Sequence, residues 1–350
     1  MKRHLLVGIA VLSLLGTSAM ATPDPLSTLQ ASLRTAVNAT KAPATLVPPM
    51  SQWAPGYWWA HYSLANNPAY RVCFGDAATS APLLSACSAF GDRSSTHRAF
   101  LVGDSRAFQW LPALAAWGKS RHWRVSALTK ANCRPWTNTP YFSGAPGQRT
   151  GAPYPSCSSF NHGVLAAIKT VRPSYVFVTA MRGRTGTASF EVNAQIRTGM
   201  INFARSVQAL GAVVVFIGPN PEWFASSGLA ADIFPPDCVV RHLNSLAHCV
   251  GSGASSGGRA GVLEAGYFNA MIDAARSTSS IYLPTPDLFC VRRTQVAATA
   301  PNGGAYGACP LLVAGTLVYL DRQHITREYA QVIAPAFTQL LERSIVPPPQ

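Results

Sequence analysis

The sequence predicts an α/β protein with a parallel sheet covered by helices on both faces, and two observations lead there. The runs AFLVG, YVFVTA and AVVVFI (residues 99–103, 175–180 and 212–217) are continuously apolar. They lack the alternation of a half-exposed strand, so they read as strands buried on both sides. Segments with apolar residues at helical spacing lie between them, the pattern of a sheet flanked by helices. Composition agrees: of 350 residues, 48% are hydrophobic and 12% charged. That supplies a sizeable core and excludes a disordered or coiled-coil chain.

The elements follow in order. Lys2, Arg3 and His4 precede an apolar run over residues 5–15 and the small-x-small site Ala19-Met20-Ala21. This is the layout of a secretory signal, cleaved after Ala21, because the run is short for a membrane helix. An uncleaved anchor is the alternative. Residues 24–41 place Leu26, Leu29, Leu33 and Val37 on one helical face. The aromatic stretch Trp53, Tyr57, Trp58, Trp59 and Tyr62 follows. Such rings either stack on sugar faces or pack an extension against a core. A strand over 98–103 leads into a helix bearing Ala107, Leu111, Leu114 and Gly118. Then come a strand at 123–128, a helix at 161–171 and a strand at 175–180. The helix at 196–210 ends at Gly211, a C-terminal cap residue. A strand at 212–217, a helix at 263–275 and strands at 281–283 and 316–320 complete the alternation. Thr326 is placed to cap a final helix running to about residue 341. Two long insertions, 221–260 and 287–314, read as loops.

Eight cysteines, an even number in an exported chain, favour disulfides. They fall into neighbouring couples, so the simplest pairing is Cys73–Cys87, Cys133–Cys157, Cys238–Cys249 and Cys290–Cys309. The last two couples would each staple one insertion. No cysteine or histidine spacing fits a structural zinc site, and no metal is expected.

Gly103-Asp104-Ser105 follows the first apolar strand and precedes a helix. Functional residues of parallel sheets gather at the carboxyl ends of the strands. A helix N-terminus there favours a developing oxyanion. By itself the tripeptide also reads as an ordinary turn and cap. Asp321-Arg322-Gln323-His324 follows the last expected strand. A carboxylate three positions before an imidazole can orient it as a general base toward a serine. Asn220, in Gly218-Pro219-Asn220-Pro221, lies at the same functional edge or serves only the turn.

This combination resembles the SGNH, or GDSL-like, hydrolase superfamily. CSAFGD (87–92), LVGDSRAFQWLPAL (101–114), WRVSALTKANC (123–133) and YLDRQHIT (319–326) resemble the SGNH domain fused to membrane acyltransferase-3 proteins, which O-acetylate bacterial envelope glycans. The resemblance runs from about residue 48 to 341. It divides the chain into a signal peptide (1–21), an N-terminal helical and aromatic extension (22–70) and an SGNH hydrolase-like domain (71–345). It implies a three-layer α/β/α sandwich with Ser105 as nucleophile, His324 as base and Asp321 as its orienting acid. It implies no cofactor. Three features depart from the family's pattern. Arg106 stands where the family usually has histidine, and it either binds an anionic substrate or sits on the surface. The Gly-x-Asn-Asp that gives other members an oxyanion-hole asparagine is replaced by Ala180-Met181-Arg182-Gly183. That leaves the Ser105 N–H, Arg182 and Gly183 as candidate donors. The membrane half is not in this sequence, so a stand-alone domain is expected.

Net charge is +14, from 28 Lys and Arg against 14 Asp and Glu. An exported cation-rich protein associates with anionic envelope surfaces. A basic bias of a GC-rich bacterial proteome gives the same composition. No phosphate-binding glycine loop and no dense basic and aromatic cluster argues for nucleic acid. The function expected is a secreted or periplasmic serine-dependent O-acyl (acetyl) transferase acting on envelope glycan, with a membrane acyltransferase as acyl donor. The alternatives are a secreted carbohydrate acetylesterase, with water as acceptor, and a non-catalytic glycan-binding protein on the same fold.

Overall fold

The computed structural model describes residues 24–53, 70, 72–136, 153–181, 184–185, 189–190, 193–223, 233–252, 259–291 and 307–345. The expected signal segment, the aromatic residues Tyr57, Trp58, Trp59 and Tyr62, and the candidates Arg182 and Gly183 lie outside these residues.

One sheet is formed by β1 (Phe74–Gly75), β2 (Phe90–Gly91), β3 (Arg98–Gly103), β4 (Arg124–Lys130), β5 (Tyr175–Thr179), β6 (Val213–Ile217) and β7 (Ile281–Leu283). Its order is β1-β4-β3-β5-β6-β7, all parallel, with β2 antiparallel along the start of β4. The chain steps from β3 outward to β4, then returns to the other side of β3 with β5. The carboxyl end of β3 is therefore a topological switch point, where doubly wound sheets open a crevice.

Successive residues of the strands serve opposite cores, which is why the runs are continuously apolar. Phe100, Val102, Val176, Val178, Val214 and Phe216 face one core. Helices α4 (Pro155–Val171), α5 (Asn193–Gln208) and α7 (Arg259–Ser277) cover it, through residues such as Val164, Met200 and Met271. Ala99, Leu101, Val125, Phe177, Val215 and Ile217 face the other core, which is covered by Leu33 of α1 (Pro25–Val37), Leu114 of α3 (Leu111–Ser120) and Phe337 of α9 (Ala334–Ser344). The architecture is a three-layer α/β/α sandwich. Each large side chain so buried contributes about 1.5–3 kcal/mol relative to exposure. The first helix is capped by Asp24, which accepts from the Ser27 N–H at 2.9 Å, and Leu29, Leu33 and Ala36 are its buried face.

Three local readings are corrected. The helix expected over 161–171 starts six residues earlier, at Pro155, a residue suited to a first turn. The strand expected over 316–320 reduces to Thr316–Leu317 and stays out of the central sheet. Ala314 and Gly315 both have positive φ and fold it back on Leu312–Val313 as a tight hairpin. The final helix breaks into α8 (Arg327–Val332) and α9, with Pro335 at the start of the second piece, where a missing N–H costs nothing.

Disulfides join Cys73–Cys87, Cys133–Cys157, Cys238–Cys249 and Cys290–Cys309. The last two staple the two insertions, the first of which carries α6 (Pro235–Arg241), and Gly251–Ser252 pairs with Ala308–Cys309, so the insertions are also knit to each other. Among the described residues, no helix is long and apolar enough to cross a membrane.

Candidate active site

The site begins where β3 ends. Gly103 adopts φ +145°, and a Cβ there would lie 1.9 Å from the Thr179 carbonyl oxygen, so only glycine lets β3 and β5 close at this point. Asp104 follows, fully buried, and caps the short helix α2 (Ser105–Phe108) by accepting from the Arg106 N–H at 2.8 Å. Its other oxygen accepts from the Met181 N–H at 2.9 Å, tying the end of β5 to the serine turn. Burial raises the Asp104 pKa, and these two hydrogen bonds and the nearby Arg106 and Arg134 charges offset only part of that.

Ser105 is the first residue of α2 and is 8% exposed. Its Oγ lies 2.8 Å from His324 Nε2. His324 Nδ1 lies 2.7 Å from Asp321 Oδ2. The other carboxylate oxygen accepts from the Gln323 and His324 N–H groups, each at 2.7 Å. Burial works to raise the Asp321 pKa, but the charge of His324 and these hydrogen bonds outweigh it and hold the carboxyl below its ordinary value. Ser105 and His324 are 219 positions apart in sequence, and the fold brings them into one hydrogen-bonded chain with Asp321. Such a chain can move a proton from the serine hydroxyl to the imidazole while the carboxylate fixes the ring's tautomer.

The turn that carries His324 is clasped from several sides. The Leu320 N–H donates to the His324 carbonyl at 2.9 Å, closing the turn on itself. The segment after β6 reaches over it: the Tyr319 hydroxyl donates to the Pro221 carbonyl at 2.7 Å, and the Trp223 N–H to the Arg322 carbonyl at 2.9 Å. Asn220 is buried, with Nδ2 donating to the Gln323 carbonyl at 2.9 Å and Oδ1 accepting from Gln109 Nε2 at 2.7 Å. Gln109 Oε1 accepts from the Ile325 N–H at 2.9 Å. Arg106 is not a surface residue. It is 5% exposed, donates to the Gln323 carbonyl and pairs with Glu222 at 3.4 Å. Sequence reasoning placed Asn220 at this edge but missed Gln109 and Glu222, because their partners are remote in sequence. On the surface, His122 meets Asp92 at 2.9 Å. Among the described residues, no group of three His, Cys, Asp or Glu side chains is arranged to hold a metal ion.

A family model described as "SGNH domain (fused to AT3 domains)" matches residues 72–339. No curated protein matches the chain. Among solved structures, the periplasmic domain of a lipopolysaccharide acetyltransferase of Salmonella ser. Paratyphi A aligns with a TM-score of 0.55 and 15% identity, covering 83% of this chain and 99% of that one. The likeness is one of fold. A protein described as an SGNH hydrolase, from Slackia heliotrinireducens, aligns at 0.36 and 12% identity, covering 70% and 98%. An alpha/beta hydrolase enzyme from the metagenome of Lake Arreo, Spain, aligns at 0.38 and 11% identity, covering 71% and 97%.

Proposed function

The chain belongs to the family of SGNH domains known fused to AT3 domains, and from that membership we propose that it is an exported serine acyltransferase that acetylates a glycan of the cell envelope. The observation that carries the reading is the hydrogen-bonded chain Ser105–His324–Asp321, with spacings of 2.8 and 2.7 Å, at the switch point of the sheet. The relative in Salmonella whose fold it shares acetylates lipopolysaccharide, which supports an envelope glycan as acceptor. Four disulfides support an oxidising, extracytoplasmic setting.

In this mechanism Ser105 Oγ attacks the acyl carbonyl of the donor as His324 Nε2 takes the serine proton. The tetrahedral oxyanion is met by the Ser105 N–H and by donors following β5, for which Arg182 and Gly183 are the candidates. The donor's alkoxide leaves with the proton from His324, and the acyl group stays on Ser105. A sugar hydroxyl then gives its proton to His324 and attacks the acyl carbon. Ser105 leaves and recovers that proton. Water in place of the sugar makes the same enzyme an esterase. Asp321 stays ionised throughout and stabilises the imidazolium.

The test is incubation with a generic acetyl ester, with and without glycan acceptors, followed by product analysis and intact-protein mass measurement. Transfer predicts acetylated glycan and an acetyl adduct on Ser105. Free acetate alone would reassign the acceptor to water. No adduct and no turnover would overturn the catalytic reading and favour a glycan-binding role, and full turnover in Ser105→Ala would overturn Ser105 as the nucleophile.

A further inference from the structure

Asp321 and His324 share one turn. The bond between them therefore fixes the imidazole relative to its own loop, not relative to Ser105. Proton transfer needs the second relation just as much, and it must survive the change of His324 from neutral to charged.

Two buried amides supply it. Gln109 sits one turn after Ser105, its backbone N–H bonded to the Ser105 carbonyl at 3.1 Å. Its side chain accepts from the Ile325 N–H, the residue just after His324, at 2.9 Å. It also donates to Asn220 Oδ1 at 2.7 Å, and Asn220 donates to the carbonyl of Gln323, the residue just before His324, at 2.9 Å. The two amides thus grip the backbone on both sides of His324. One of them is anchored to the serine's own helix. Gln109 is 1% exposed and Asn220 0%, so water does not compete for these bonds.

The direction of the relay is dictated at both ends. A backbone N–H at Ile325 can only donate, so Gln109 must present its oxygen there and its nitrogen to Asn220. A backbone carbonyl at Gln323 can only accept, so Asn220 must present its nitrogen there and its oxygen to Gln109. In this orientation each of the four amide atoms meets a partner of the opposite kind, and Arg106 adds a second donor to the Gln323 carbonyl.

We propose that Gln109 and Asn220 are positioning residues that hold His324 Nε2 on Ser105 Oγ through this amide relay. The proposal rests on the reading of Ser105 and His324 as nucleophile and base. A shift of about 1 Å in such a pair costs about 10²-fold in rate.

The test uses the full chain carrying Gln109→Leu, which fills the same space with no polar atom, Asn220→Ala, and both together. Turnover of an acetyl ester should fall about 10²-fold in kcat with KM nearly unchanged. The double variant should lose little more than the worse single one, because the relay acts as a unit. Gln109→Glu is a second probe that keeps the fold's packing. Its carboxylate meets the Asn220 oxygen, while its protonated form can donate as glutamine does. Its deficit against wild type should therefore narrow as pH falls. Undiminished kcat, a change in KM alone, additive losses or a pH-independent deficit would each overturn the relay. A separate readout needs no activity: the His324 Nδ1 proton, assigned by proton NMR through its absence from His324→Gln. It should exchange faster with water in Gln109→Leu than in wild type, and unchanged exchange would overturn the proposal. A wild-type protein with no turnover would count against the acyl-transfer reading instead, and the NMR comparison would still judge the relay.

Discussion

Replacing Asp321 by asparagine changes one atom and reverses the chemistry of the base. Oδ1 accepts from two backbone N–H groups, those of Gln323 and His324, at 2.7 Å each. Those groups can only donate, so they claim the single oxygen of the new amide. Its NH2 then faces His324 Nδ1, which at present lies 2.7 Å from Oδ2. Nδ1 must become an acceptor, and the ring proton moves to Nε2. Nε2 is the atom 2.8 Å from Ser105 Oγ, and carrying a hydrogen it can no longer take the serine proton. A base held in the wrong tautomer costs about 10⁴-fold in kcat. That corresponds to about 5.5 kcal/mol of barrier at about 1.36 kcal/mol per decade. The assay is steady-state hydrolysis of an acetyl ester by wild type and Asp321→Asn, with thermal melts of both to show an intact fold. An Asp321→Asn variant with more than about a tenth of wild-type kcat would refute the claim that this carboxylate selects the tautomer.

Further outcomes follow from other parts of the site. Gly103→Ala forces a Cβ to 1.9 Å from the Thr179 carbonyl oxygen at φ +145°, so β3 and β5 must part. We expect a loss of about 1–3 kcal/mol in urea unfolding, together with reduced turnover. Asp104 and Asp321 should give opposite pH dependences of stability. The Asp104 pKa is raised above 3.8 in the fold, so its ionisation weakens the fold as pH rises above that value, and Asp104→Asn should flatten the stability curve there. The Asp321 pKa is lowered below 3.8, so its contribution is present above that value and is lost as pH falls from it through the lowered pKa, and Asp321→Asn should flatten the acid side. Denaturant midpoints across pH for the two variants check both signs. Replacing both Cys133 and Cys157 by serine opens a loop with a sequence separation of 24. This should cost about 3.5 kcal/mol in the same unfolding assay.

The parts of this protein that are legible in sequence are those whose cause is local. Strands buried on both faces need apolar residues at every position, and AFLVG, YVFVTA and AVVVFI announce themselves. The serine turn and the Asp-x-x-His turn are also local, because each functional group lies within three residues of its motif's other members. The relay is not. Gln109 looks like any polar residue in a helix, and its partners Asn220 and Ile325 are 111 and 216 positions away. Asn220 could be placed at the correct edge by its position after an apolar strand, but not given a partner. The sequence leaves Arg106 open between anion binding and the surface, because its burial depends on the Gln323 carbonyl and Glu222, both supplied by other segments. The strand expected over 316–320 is cut short by a local cause. Ala-Gly at 314–315 takes two left-handed conformations and turns the chain back before it can reach the sheet.

The two carboxylates of the site differ in what they cost and what they hold. Asp321 is held ionised by His324 and its turn, so its charge is stabilised by the groups it orients. Asp104 is different: burial makes its charge unfavourable, and two backbone N–H bonds do not fully offset that. A neutral cap would satisfy α2 at lower cost. What a neutral cap lacks is a second strong acceptor, and here that acceptor binds the Met181 N–H at 2.9 Å. The stability forgone at Asp104 thus fixes the end of β5 against the serine turn, on the strand that adjoins β3. It also occupies the Met181 N–H, which is then not free to meet an oxyanion. The next N–H groups along the chain are those of Arg182 and Gly183. Asp104→Ala should impair turnover beyond its effect on the melt, because the strand end would lose its hold on the serine turn. Equal losses of stability in Asp104→Ala and in a remote core variant, with equal losses of kcat, would show that Asp104 acts on the fold alone.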